Sequence, residues 1–181
     1  ILVVIGGAEL FTGNALIVMA WVDRQVSTPA LLRNWTAVWI GNLAGALLIA
    51  AAISQTSLIT GGFGTTAAKI AAGKMALAPL DIFVRAILCN ALVCLAVWLS
   101  FAATDVAGKI LAIILPVAAF VALGLEHSIA NMFLLPLGLM AGAEGSAALA
   151  AQNIAIATAG NILGGAGGVA LAYRFAFKPQ V

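Results

Sequence analysis

The sequence predicts an all-α membrane protein, an inverted repeat of three plus three transmembrane helices with two broken helices, whose first helix lies outside this chain. Three observations predict it. Of 181 residues, 64% are hydrophobic and only 8% are charged, whereas soluble domains carry about 25% charged residues. Five apolar segments are long enough to cross a bilayer, which takes about 20 residues each. Two of those segments carry clusters of Gly, Glu and Asn at their centres, and the clusters repeat in register.

The spans are read as roughly 1–22, 35–54, 78–103, 108–140 and 151–173. The first holds Gly6, Gly7, Glu9, Thr12, Gly13 and Asn14. The fourth is too long for one plain span and holds Gly124, Glu126, His127, Ser128 and Asn131 at its middle. Polar groups at membrane depth are tolerated where they face protein or a water-filled cavity, so both segments are expected to be interrupted near the midplane. Glu9 and Asn14 align with Glu126 and Asn131 at an offset of 117, and Gly41-Asn42-Leu43-Ala44-Gly45 aligns with Gly160-Asn161-Ile162-Leu163-Gly164 at 119. One shift with a two-residue indel relates both pairs. The second copy is preceded by the span 78–103, so a complete first copy requires one more helix upstream. An odd number of spans per copy inverts the second relative to the first.

The chain is accordingly divided as one channel domain, 1–181. Residues 1–54 are the remainder of the first repeat, 55–77 a connecting loop, 78–173 the second repeat and 174–181 a tail. The chain begins at Ile1, inside an apolar run without the basic flank of a signal peptide, and is read as a fragment. Arg24, Arg33, Lys109, Arg174 and Lys178 share one face against Lys69 and Lys74 on the other, so 23–34, 104–108 and 174–181 are expected to be cytoplasmic. Trp21, Trp35, Trp39, Trp98 and Tyr173 fall at one face as an interfacial belt. Asp81 and Arg85, spaced i,i+4, are expected to pair.

Net charge is +2, spread thinly, which leaves no electrostatic footprint for nucleic acid. Cys89 and Cys94 lie five apart in one apolar run and read as packing residues. No metal or other cofactor is expected, because one histidine without an acidic pair at ligand spacing cannot hold a catalytic metal.

Two helix breaks facing one another present N–H groups with positive partial charge, which favours an anion. His127, the chain's only histidine, falls in one break opposite Thr12 in the other. An ionisable side chain there is expected to handle a proton, letting a weak acid cross as its neutral form. Glu9 and Glu126, at matching positions, are expected to hold the breaks by accepting hydrogen bonds from backbone and from Asn14 and Asn131. Leu10, Phe11, Val93 and Phe120 read either as apolar constrictions or as ordinary helix packing. Lys74 reads either as an anion-gathering group or as an interfacial lysine. A membrane enzyme using His127 and Glu126, and a channel for neutral solutes such as water, glycerol or ammonia, are the competing classes. The first lacks a Ser/His/Asp set, and the second needs no ionisable group at the break.

The stretches GAELFTGN (7–14), NALVCLAVW (90–98) and GLEHSIANM (124–132) resemble signatures of the formate/nitrite transporter family, and the resemblance extends over essentially the whole chain. It implies an aquaporin-like protomer in a homopentamer, each protomer with its own pore, carrying formate, nitrite or hydrosulfide across a bacterial inner membrane. It also implies that His127 is the central pore histidine with Thr12 its partner. Leu10, Phe11, Val93 and Phe120 match constriction positions, and Lys74, Asn90 and Asn161 match polar residues that draw in the anion. The family's first helix and N-terminal segment lie outside this chain. Leu115–Phe120 and Met132–Pro136 are similar to formate members. The Lys74–Asn90 stretch and the short Met140–Ala151 connection are similar to nitrite members, and formate is the favoured substrate.

Overall fold

The computed structural model describes residues 1–177, so Lys178 and the rest of the tail expected at 174–181 lie outside the described residues. After turns over residues 2–6 and an irregular stretch at 7–10, the first break gives way to a 3-10 segment, Gly13–Ile17, and α1, Val18–Val22. Then follow α2, Thr28–Ser54, α3, Gly62–Met75, α4, Pro79–Ala102, and α5, Val106–Ala122. The second break, 123–127, leads into α6, Ser128–Met140. The last membrane segment is α7, Ala147–Ile162, a π-helical stretch, Leu163–Leu171, and α8, Ala172–Ala176.

Helix starts follow from local chemistry. Ser27 is extended, with its hydroxyl accepting from the Ala30 N–H, and Pro29 follows in the first turn of α2. Proline suits that place because the N–H it lacks would have no partner. Asp105 and Ser146 cap α5 and α7 in the same way, each accepting from the N–H three residues on. These caps make α2 27 residues long, about 40 Å at 1.5 Å per residue. Thr28–Ser54, Pro79–Ala102 and Ala147–Ala176 are long and apolar enough to cross a membrane. α5 and α6, each shorter than a span, run in sequence through the second break, so the segment expected at 108–140 is an interrupted helix.

Three expectations are corrected. The stretch 55–77 is no plain loop: it holds a 3-10 turn, Ser57–Thr60, and the fourteen-residue α3. Helix α3 packs on α6 so closely that a Cβ on Gly138 would lie 2.2 Å from that of Ala71. Trp35 and Trp39 do not belong to an interfacial belt. Their indole N–H groups donate inward, to the Asn14 carbonyl at 3.0 Å and the Thr158 hydroxyl at 3.2 Å. The last helix does not run regularly through 151–173, because Leu163–Leu171 widens to a π-helix. There Gly164 passes so near α4 that a Cβ on it would lie 2.1 Å from the Ile87 carbonyl oxygen. The expected Asp81–Arg85 pair forms, at 2.7 Å.

Helix α4 packs on α5, α7 and the π stretch, while α6 packs on α2, α3 and α7. The inner ends of the two breaks, Phe11–Gly13 and Glu126–Ser128, are buried, while Ile5–Glu9 and Leu123–Gly124 stay exposed. Large apolar side chains such as Leu48, Leu80, Leu111 and Leu115 stay exposed, as a lipid-facing surface requires.

Candidate functional site

The second break is built around Gly124, whose φ of +63° turns the chain out of α5. Glycine adopts that conformation without steric cost. Three residues on, His127 is extended (φ −105°, ψ 113°) and is the N-cap of α6, with Nδ1 accepting from the Ala130 N–H at 3.1 Å. In the first break Gly7 takes the same left-handed conformation, at φ +71°. Thr12 follows it, 1% exposed. The two breaks meet where Thr12 Oγ1 lies 3.0 Å from His127 Nε2. Phe120 of α5 stacks on the imidazole, with ring centroids 5.6 Å apart and planes 17° from parallel.

The matched Asn42 and Asn161 bind the two breaks in one pattern. The Asn42 amide donates to the Glu9 carbonyl at 3.1 Å and accepts from the Phe11 N–H at 3.0 Å. The Asn161 amide donates to the Glu126 carbonyl at 3.0 Å and accepts from the Ser128 N–H at 2.8 Å. Each clasp spans the carbonyl and N–H that a helix break leaves without intrahelical partners. The carboxylates follow the same pairing. Glu9 accepts from Asn14, which also donates to Asn34, and Glu126 accepts from Asn131, which also donates to Asn153.

Beyond this symmetry the second break has an ion pair. Lys74 Nζ lies 2.7 Å from Glu126 Oε1, the carboxylate being 1% and the lysine side chain 15% exposed. With Asn131 at 2.6 Å and Asn153 at 3.2 Å on Oε2, the buried carboxylate is neutralised and both its oxygens are occupied. Lys74 thus neither snorkels to an interface nor stands as an unpaired cation.

The polar residues expected to line a pore are placed differently. Asn90 and Asn161 have no exposed surface. The Asn90 amide donates to the Thr12 and Asn161 carbonyls, at 3.1 and 2.6 Å, and that of Asn161 donates also to Ala86 O. Their donors are spent on the backbone, so they fix the junction of the breaks with α4. Phe120 and His127 line a cavity of about 250 Å³ together with Lys74, Asn131 and Leu134. Phe11 is buried, edge-on to Trp35, and borders a separate cavity of about 300 Å³ with Leu32, Trp39 and Thr158. The Thr12–His127 hydrogen bond therefore links a residue at the wall of one cavity to the neighbour in sequence of Phe11, which borders the other. Leu10 is half-buried beside the first break, and Val93 is buried on α4, three residues from Asn90.

Sequence reasoning did not single out Asn34, Asn42 or Asn153 as site residues. The signal was present, since Asn34 and Asn153 stand 119 apart, the register already found for Asn42 and Asn161.

The family model for the formate/nitrite transporters matches residues 1–175. The chain belongs to the formate/nitrite transporter family. Among relatives, an uncharacterized transporter, YrhG, of Bacillus subtilis is 44% identical, over 99% of this chain and 68% of that protein. A probable formate transporter of Methanothermobacter thermautotrophicus is 41% identical, over 99% of this chain and 72% of the relative. The formate channel FocA of Escherichia coli is 39% identical over 77% of this chain, spanning half of FocA. Among solved structures, an FNT family ion channel superposes with a TM-score of 0.87 at 32% identity, covering 97% of this chain and 72% of the other. A pentameric formate channel with formate bound gives 0.80 at 35%, covering 97% and 78%. This member of the family is thus an all-helical integral membrane protein of the channel and transporter class.

Proposed function

We propose that this protein forms a channel for small monovalent anions, formate before nitrite and hydrosulfide, in which His127 couples a proton to the anion. The observation that carries the reading is the Thr12–His127 contact at 3.0 Å, where two helix breaks meet and an ionisable ring lies against an otherwise apolar wall. Thr12 and His127 are themselves the N-caps of the segments that follow the breaks, so the positive end of a helix lies beside their contact. A small anion is favoured there over a neutral solute. A bare anion passing Phe120 and Phe11 loses its hydration, a cost that falls steeply once a proton is added. The pairing of Glu126 with Lys74 supports this, because it removes the one buried carboxylate beside the ring that would repel an anion.

The relatives named as formate channels and transporters, and the formate-bound pentamer, support formate as cargo and a homopentamer as the assembly. Under this reading Leu10, Phe11, Val93 and Phe120 form apolar constrictions. Lys74 keeps the Glu126 carboxylate beside the ring from repelling the anion, and the lipid bilayer of the inner membrane surrounds the pentamer. The two repeats run in opposite directions, with 23–34, 104–108 and the tail cytoplasmic. The full-length protein in liposomes enclosing a pH dye tests the function. Formate is expected to enter with acidification of the lumen, nitrite and hydrosulfide more slowly, and glycerol not at all. Glycerol flux equal to formate flux would overturn the proposal in favour of a neutral-solute channel.

A further inference from the structure

The hydrogen bonds of His127 fix which of its nitrogens carries the proton. Nδ1 accepts the backbone N–H of Ala130, at 3.1 Å, as the N-cap of α6. A ring nitrogen that accepts an N–H holds no hydrogen of its own. The neutral ring therefore carries its proton on Nε2, which donates to Thr12 Oγ1 at 3.0 Å. The threonine hydroxyl, having accepted from the ring, keeps its own hydrogen free. Among the described residues no second acceptor takes that hydrogen.

Resting on the proton-handling function proposed above, we infer that His127 is locked as the neutral Nε2–H tautomer by capping α6, so that it takes up a proton only by releasing the cap. In the capped state the hydrogen-bond donor offered to the anion is the Thr12 hydroxyl. The chemistry runs as follows. The ring first swings off the cap, breaking the Ala130 and Thr12 contacts together and freeing Nδ1, the only ring nitrogen with an available lone pair. A hydronium ion then gives its proton to Nδ1 and leaves as water. Held at the cap, that Nδ1–H would face the Ala130 N–H, donor against donor, with the positive ring at the positive end of α6. The ring returns to the cap when Nδ1 gives the proton to an oxygen of the anion, leaving the neutral acid to move on.

The charged and titratable groups around the ring do not relieve this conflict. From α3, Lys74 adds a positive charge, with Nζ 3.5 Å from the Leu125 carbonyl and paired to Glu126. Glu126, next in the chain, is saturated by Lys74, Asn131 and Asn153. From α4, Arg85 pairs with Asp81 and reaches the Gly124 carbonyl at 3.5 Å, while Cys94 lies 3.5 Å from the Thr12 carbonyl. Glu9 of the first break is held by Asn14. Phe120 covers one face of the ring.

The test uses the full-length protein in liposomes, labelled with nitrogen-15 histidine, with the His127→Asn protein identifying the His127 signals. At neutral pH, solid-state NMR is expected to show Nε2 protonated and Nδ1 bare. A proton on Nδ1 would overturn the inference, whatever the flux. Proton-coupled formate uptake in the same liposomes reads the parent function separately, since its loss with the expected tautomer intact indicts the function and not the lock. A second arm replaces Ala130 by Pro, which removes the N–H that holds Nδ1 from the first turn of α6, where proline is tolerated. The pH midpoint of proton-coupled flux is expected to rise by about one unit, the size of a lost cap. Ile129→Pro, which deletes an amide that does not bond the ring, is expected to leave the midpoint in place. An unmoved midpoint in a folded Ala130→Pro protein would also overturn the inference, and if that variant does not fold the tautomer decides alone.

Discussion

Replacing Lys74 by Met removes the counter-ion of a carboxylate that is 1% exposed. At an N–O distance of 2.7 Å and an effective dielectric of about 20, the attraction lost is roughly 6 kcal/mol before desolvation is counted. Part of it returns because the lysine no longer needs to be desolvated. Breaking one partner of a buried pair costs about 3–5 kcal/mol in practice. The amides of Asn131 and Asn153 still hold Oε2, so the lower end, about 3 kcal/mol, is expected for Lys74→Met. In Lys74→Met with Glu126→Gln no charge is left buried, and the loss should shrink to about 1 kcal/mol. The assay is reversible unfolding in mixed detergent micelles of the wild type, both single variants and the double variant. Coupling between the two positions of at least about 2 kcal/mol, plus whatever Glu126→Gln costs alone, is the expected result. Additive single effects would refute the burial argument and show the pair to be solvated.

Other outcomes follow from the same geometry. Asn161→Ala strands two buried backbone groups, Glu126 O and Ser128 N–H, removes a second donor from Ala86 O, and should destabilise by about 3 kcal/mol, while Asn42→Ala, at the half-exposed clasp, should cost about 1 kcal/mol by the same unfolding assay. Gly165→Ala would place a Cβ 2.4 Å from Asn90 Nδ2, 2.7 Å from Ala15 Cβ and 2.8 Å from Cys94 Sγ. Overpacking of that kind costs about 1–3 kcal/mol, and the thermal midpoint of the protein should fall accordingly. Phe120→Ala removes the ring stacked on His127 and enlarges the cavity of about 250 Å³. Acetate flux relative to formate should rise in that variant, as measured by uptake into liposomes.

The membrane architecture was legible because charge is so scarce that each polar residue carries information. Glu9, Asn14, Glu126 and Asn131 stand out of apolar runs, and their register alone links the two halves of the chain. The Asn42 and Asn161 clasps lay in that register too, but a Gly-Asn-x-x-Gly block reads as helix packing until the carbonyls it serves are located. Helix α3 was hidden because its Gly, Thr, Ala and Lys residues make a weakly apolar segment. Its helical state comes from packing on α6, not from an apolar period of its own. The π-helical register at Leu163–Leu171 concerns backbone hydrogen bonds, which side-chain patterns do not report. Lys74 and Glu126 are 52 residues apart, and their pairing depends on where α3 docks against the second break. The backbone partners of Asn90 and Asn161 were hidden for a related reason: inside a membrane, backbone groups freed by a helix break compete for every amide donor.

The most direct measurement of the central claim is proton movement accompanying formate uptake by the full-length protein and its His127→Asn variant in liposomes with an internal pH dye. The account predicts that formate carries protons in the wild type and that the variant loses proton movement while remaining folded and assembled as the wild type is. A folded His127→Asn variant that moves protons with formate as fast as the wild type would contradict it and reduce the histidine to a cap for α6.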